Sequence, residues 1–287
     1  MTLNSVQQLV DAELEWRVRR NQWRKVPSQV TTAWYWFDLS LSPWNPVPKY
    51  WFDSTPLIAK QVAQSTDWGL FHWANTTPYE QYLRMTMAMS SSATWLPLPL
   101  LLCDFLLYYP SVDDSVTDPQ ILDNTITLPR YTDGKWVQAI AVTVAWRTWG
   151  QSFYFTYTNS DWVTGRTSKT VVQNTIANIG TITTSSLSTL NMSGNPFIWL
   201  QDWDSGIRSI DSVVMLGADV WLFTLILVKP IASTLIREQT APVEKDYLLE
   251  TCDVPIIKDD AYLSWLTCPQ GSLSGVVLTW DIQIIYS

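Results

Sequence analysis

FIWLQDWDSGIRSIDSVVMLGADVWLFTLILVKPIA, residues 197–232, is the stretch around which the rest of the chain is organised. Val220 to Val228 is an almost continuous apolar run closed by Lys229-Pro230. It is too short to span a bilayer, and its β-branched and aromatic content favours strand over helix. Ile207 to Met215 alternates before it, with Ile207, Ser209, Asp211 and Val213 on one parity and Arg208, Ile210, Ser212 and Val214 on the other. Neither parity is clean, which suits a strand paired on both sides with one partly wet face. Leu216-Gly217-Ala218-Asp219 supplies a turn between the two. The reading is a central hairpin with other hairpins packed on its apolar face.

Working outward, further strands are expected at Thr31–Leu39, Tyr79–Met89, Trp95–Tyr109, Trp136–Trp146, Ser152–Thr158, Arg166–Gln173, Ile176–Leu190, Thr234–Glu238, Asp246–Glu250, Ala261–Thr267 and Val276–Tyr286. Trp136–Trp146 and Ser152–Thr158 read as a hairpin, and Val112–Pro129 as a loop. Short strands at regular spacing with turn punctuation indicate an all-β fold, a jelly-roll-like or Greek-key β-sandwich, over residues 28–287. Residues 28–135, rich in Trp and Pro at their start, are readable as a separate aromatic subdomain, with 136–287 as the main sandwich.

The exception is an N-terminal α-helix expected from Ser5 to about Lys25, ended by Pro27, so that residues 1–27 form a helical arm. Ser5 and Gln8 have the spacing of a capping box. Val6, Leu9, Val10, Leu14 and Val18 fall near one face, while Arg17, Arg20 and Arg24 belong to a basic cluster after the acids Asp11, Glu13 and Glu15. Five basic against three acidic residues give this segment +2, against 13 basic and 23 acidic residues elsewhere. Those eight residues, Val6 to Arg24, are the candidate interface, since an isolated helix of this length is marginal in water and needs its stripe buried. Packing of the helix on its own domain is the other reading.

A net charge of -8 argues against general binding to nucleic acid or to an anionic membrane. Cys103, Cys252 and Cys268 are an odd set without CxxC spacing, and one histidine, His72, leaves little for metal sites or a Ser-His-Asp triad. The start has no basic, apolar leader pattern, so a soluble chain made in the cytoplasm is expected, with no cofactor.

The chain has 18 Trp and only 10 Gly, where average usage gives about 20 Gly. Several Trp follow or precede Asp where turn chemistry wants Gly: Asp67-Trp68, Asp161-Trp162, Asp202-Trp203 and Trp280-Asp281. The favoured reading makes exposed Trp interface anchors. The other is a reassigned codon, read as Trp in a chain that carries Gly.

Asp202/Asp204, Asp113/Asp114 and Asp259/Asp260 are conceivable glycosidase carboxylate pairs, but Asp in turns is the default. DWDSG at 202–206 resembles part of a calcium loop and lacks its distal Glu.

FYFTYTNSD at 153–161, SGIRSIDSVVML at 205–216, VWLFTLILVKPIA at 220–232, PVEKDYLLE at 242–250, then PIIKDDAYLSWL and GSLSG, resemble structural proteins of tailed bacteriophage virions, of the head decoration or minor capsid type. The resemblance covers about half the chain and departs at Trp162, Trp221, Trp280 and Asp260, near which Gly is expected. It implies no active site. It implies a virion component that acts through subunit interfaces, partnered by the major capsid protein or other virion proteins and forming a homo-oligomer, such as a trimer. A tail-associated glycan- or receptor-binding module is the alternative, and a glycoside hydrolase the third reading.

Overall fold

A computed structural model describes residues 5–75, 78–186, 194–251 and 254–287. Helix α1 (Val6–Leu14) precedes ten strands of four residues or more. They are β1 (Val18–Lys25), β2 (Gln81–Ser90), β3 (Leu98–Asp113), β4 (Gln138–Thr143), β5 (Ser152–Asn159), β6 (Ile207–Met215), β7 (Leu222–Ile236), β8 (Val243–Asp246), β9 (Tyr262–Thr267) and β10 (Leu278–Tyr286). The expected all-β fold with an N-terminal helix is the fold observed.

β6 and β7 do not form a hairpin. β6 pairs with β5, Ile207 opposite Asn159 through Met215 opposite Phe153, whereas β7 pairs with β3 and β4 in another sheet. The turn at 216–219 therefore carries the chain across a core. Ile207, Ile210, Val213 and Met215 stack on Phe223, Leu225 and Leu227 instead of pairing edge to edge. Register shifts between Ile207 and Ser209 and between Ile210 and Ser212 put those four side chains on one face, which is why neither parity looked clean. β4 and β5 likewise lie in different sheets.

The central sheet runs in the order residues 182–183, β4, β7, β3, β9, residues 37–38. Its two edges meet. The Ile182 N–H donates to the Trp36 carbonyl at 2.8 Å and the Asp38 N–H to the Gly180 carbonyl at 2.9 Å, closing the sheet into a barrel. Gly180 sits at φ +94°, and a Cβ there would lie 2.6 Å from the Phe37 ring. Inside the barrel Trp51 stacks on Phe105 at 5.3 Å among Tyr108, Ile140, Val142, Ile226, Val228 and Tyr262.

Two further sheets pack outside the barrel. The terminal sheet, ordered β8, β2, β10, β1 and residues 44–45, covers Leu98, Leu100, Leu102 and Trp265 with Leu83, Trp23, Trp280 and Ile282. The sheet of β5 and β6 covers Leu107, Tyr109 and Leu225 with Phe153, Phe155 and Val213. β3 and β7 run the length of both contacts, so no boundary near residue 135 separates two β units. β7 also continues through Lys229-Pro230 to Ile236; a register shift between Pro230 and Ala232 accommodates the missing N–H. Of Asp246–Glu250, expected as strand, only Asp246 is strand, and Tyr247–Thr251 is a helical turn.

The helix expected to reach Lys25 stops at Leu14. Residues 18–25 are strand β1, paired in register with β10 from Val18 opposite Ile285 to Lys25 opposite Leu278. Along β1 the arginines that suggested a continuing helix, Arg19, Arg20 and Arg24, are exposed, and Trp23 and Lys25, two residues apart on one face, are the buried ones. Residues 5–25 are thus no detached arm.

Candidate functional site

The predicted interface residues divide between the two elements. Ser5 caps α1 by accepting the Gln8 N–H at 3.2 Å, as the capping pattern predicts. Leu9 and Ala12 are buried against Tyr82, Leu248, Val254 and Ile285, with Val18 beside them. Val6, Val10 and Leu14 stay exposed, at 56%, 44% and 74%. These three follow at i, i+4 and i+8, one row along the outer side of the helix. The apolar stripe is therefore split: one flank fastens the helix to its own body, and the other is left uncovered.

The arginines serve β1. The Arg17 guanidinium donates to the Tyr286 carbonyl, pairs with Glu15 at 2.7 Å and lies 4.7 Å from the Tyr79 ring centroid. Arg19 approaches the Trp73 ring at 5.9 Å. Together with Trp16 and Tyr286 they line a cleft of about 310 Å3 at the helix–strand junction. Arg20 lies opposite Gln283; burial raises the nearby Asp281 carboxyl above its ordinary range, and Arg20 opposes that rise. Arg24 lies over Trp44 at 4.7 Å. Next in the strand, Lys25 is buried, and its ammonium donates to the carbonyls of Ser42 at 2.7 Å and Pro46 at 2.6 Å. Burial lowers its pKa to about 8 against the opposing pull of Asp38. A larger open groove of about 750 Å3 runs between β8 and the end of β7, lined by Pro99, Ser233, Leu235, Arg237, Glu244 and Lys245 among others.

The carboxylates considered for hydrolysis are committed elsewhere. Asp204 accepts from Arg166 at 2.9 Å, from the Asn159 amide at 2.7 Å and from the Tyr157 hydroxyl. Partial burial opposes its ionisation, but these three donors outweigh it and hold the carboxyl below its ordinary range. Asp202 points to solvent beside Lys169 at 3.0 Å. Asp113 caps the Ser115 N–H, Asp259 the Asn75 N–H and Asp260 the Ser65 N–H. His72 is buried, with Nε2 2.8 Å from the Ala261 carbonyl and Nδ1 3.2 Å from Gln81 Oε1, a bracing role between strands. Cys103 is buried and Cys268 half-buried, while Cys252 lies outside the described residues. Among the described residues no three of His, Cys, Asp and Glu converge as metal ligands, and no helix is long and apolar enough to cross a membrane.

One buried polar cluster had no signal in the sequence. Asp114 and Arg147 are both fully buried, 3.8 Å apart, and Asp114 also accepts from Gln173 at 3.1 Å. The three guanidinium nitrogens and Asp114 Oδ2 have no hydrogen-bond partner. Nothing in the spacing of residues 114 and 147 places them together; the barrel does. The chain matches no family model, no curated protein and no solved structure.

Proposed function

We propose that this is a non-enzymatic structural protein of a tailed-phage particle, a decoration (cement) or minor head protein seated through α1. The observation that carries the reading is the exposed row Val6, Val10 and Leu14 on a helix whose opposite flank is clamped to the body. Three aliphatic side chains in one solvent-facing row lose by hydration and gain by being covered, about 25 cal/mol for each Å2 removed from water. The carboxylates considered for hydrolysis add support, because each is engaged elsewhere, and so does the resemblance of about half the chain, from near residue 150 to the C-terminus, to virion proteins. The occupant is the major capsid protein or another virion component.

The test is a triple variant, Val6→Ser, Val10→Ser and Leu14→Ser, offered to particles that lack the protein. Unchanged thermal stability with lost incorporation supports the reading, and incorporation equal to the parent chain overturns it. A chain that stays out of particles but binds a glycan array marks it instead as a tail-associated receptor module.

A further inference from the structure

We propose that seven of the 18 tryptophans, Trp16, Trp34, Trp44, Trp68, Trp136, Trp162 and Trp203, are glycine in the protein as its producing cell makes it. The codon behind them is one that some genetic codes assign to tryptophan and others, as UGA is, to glycine.

All seven have a left-handed backbone, with φ between +58° and +89°. A bulky residue with positive φ is a genuine outlier, because its Cβ crowds the neighbouring carbonyl, whereas glycine adopts this region freely. The seven are also all exposed, from 45% for Trp34 to 100% for Trp203. The four buried tryptophans, Trp23, Trp51, Trp265 and Trp280, are all absent from the left-handed set. They pack as aromatic rings should: Trp265 and Trp280 stack at 6.0 Å, and Trp51 stacks on Phe105. The 18 tryptophans therefore contain a packed population and a left-handed, solvent-facing one.

Local hydrogen bonds identify what the left-handed positions are. At the end of α1 the Arg17 N–H donates to the Ala12 carbonyl at 2.8 Å and the Trp16 N–H to the Glu13 carbonyl at 3.2 Å. That pair of bonds is the Schellman motif, and Trp16 stands at its C′ position, the one glycine occupies most often. Trp68 is the left-handed C-cap of helix Gln64–Asp67. Trp34, Trp136 and Trp203 are each the third residue of a turn, closed respectively by Tyr35 N–H to Thr32, Val137 N–H to Gly134 and Asp204 N–H to Gln201. Trp162 is the fourth residue of the turn that begins at Asn159, reached through Asp161. Positive φ at these places selects Gly or Asn.

The rings themselves do little. Of the seven rings, only those of Trp44 and Trp162 meet a cation among the described residues, Arg24 and Arg208. The deficit of glycine completes the case, since 10 glycines with seven restored come close to the usual share.

Peptide sequencing by tandem mass spectrometry of the protein purified from its natural source decides the matter. Glycine at positions 16, 34, 44, 68, 136, 162 and 203, with tryptophan kept at 23, 51, 265 and 280, is the expected result. Tryptophan at the seven overturns it. A second arm uses recombinant chains: the sevenfold Trp→Gly variant should melt above the all-tryptophan chain, and a lower melting temperature counts against the proposal.

Discussion

The Arg130 guanidinium grips both oxygens of Asp104, at 2.6 and 2.8 Å, on the outer wall of the barrel. Asp104 lies on β3 between Leu102, which faces the terminal sheet, and Leu106, which faces the β5–β6 sheet. The ion pair thus occupies the seam between the two outer cores. Asp104 also accepts the Tyr262 N–H at 3.0 Å, tying β9 to the same point.

Burial raises the Asp104 carboxyl to about 6 despite Arg130, and burial raises Asp114 to about 6 against Arg147. Ordinary aspartate titrates near ~3.9, so the folded chain holds these two protons more tightly than the unfolded one. Stability from them is complete below pH ~4 and is lost as the pH climbs to about 6. Urea midpoints between pH 4 and pH 7 should show that decline relative to an Asp104→Asn variant, whose slope in the window is shallower. An equal slope in both chains would refute the assignment.

Removing residues 1–26 should not leave an intact body. β1 lies between β10 and residues 44–45, and its loss strips the edge of β10, uncovers Trp280 and removes Lys25 from the Ser42 and Pro46 carbonyls. A lower melting temperature and lost near-ultraviolet circular dichroism are expected. Deletion through Leu14 alone should do less harm, exposing mainly Tyr82, Leu248 and Ile285.

Trp51→Ala should cost about 3–5 kcal/mol, the usual range for emptying a large aromatic site in a packed core. The ring stacks on Phe105, meets Tyr108 and Tyr262 edge-on, and donates its N–H to buried Asp38. Trp51→Phe keeps much of the packing but leaves Asp38 short of a donor, so it should fall between the parent and alanine in chemical denaturation.

Arg147→Met alone leaves buried Asp114 without its cation and should cost about 3–5 kcal/mol. Arg147→Met with Asp114→Leu removes both desolvated charges and should recover most of that loss, or exceed the parent. A double variant no more stable than the single one would mean that the pair contributes net stability.

Strand content was legible because most long strands keep an apolar face, and both β6 and β7 announced theirs. Their pairing was not, since two strands that stack across a core need the same apolar face as two that pair. Bulges at β6 scrambled its parity further. β1 was misread because Arg19, Arg20 and Arg24 carry helix-forming propensity with little periodicity, and the decisive partner lies at Leu278–Tyr286. Of the candidate interface, the Ser5 cap and the apolar row were visible locally, whereas its division into a buried and an exposed flank depends on Tyr82, Leu248 and Ile285, far away in sequence.

β10 sits between β1 and β2, and it is translated only after every strand of the barrel. As the nascent chain emerges, β1 can pair with residues 44–45 and β2 with β8 and residues 256–257, but nothing joins these two halves before β10. The sheet is therefore completed only when β10 inserts between two halves that precede it in the chain. Until then Leu98, Leu100, Leu102 and Trp265 face water and the edges of β1 and β2 invite foreign strands. Slow synthesis or a stall shortly before Leu278 would prolong that exposure, so yield in a cell depends on how promptly the ribosome delivers one late strand.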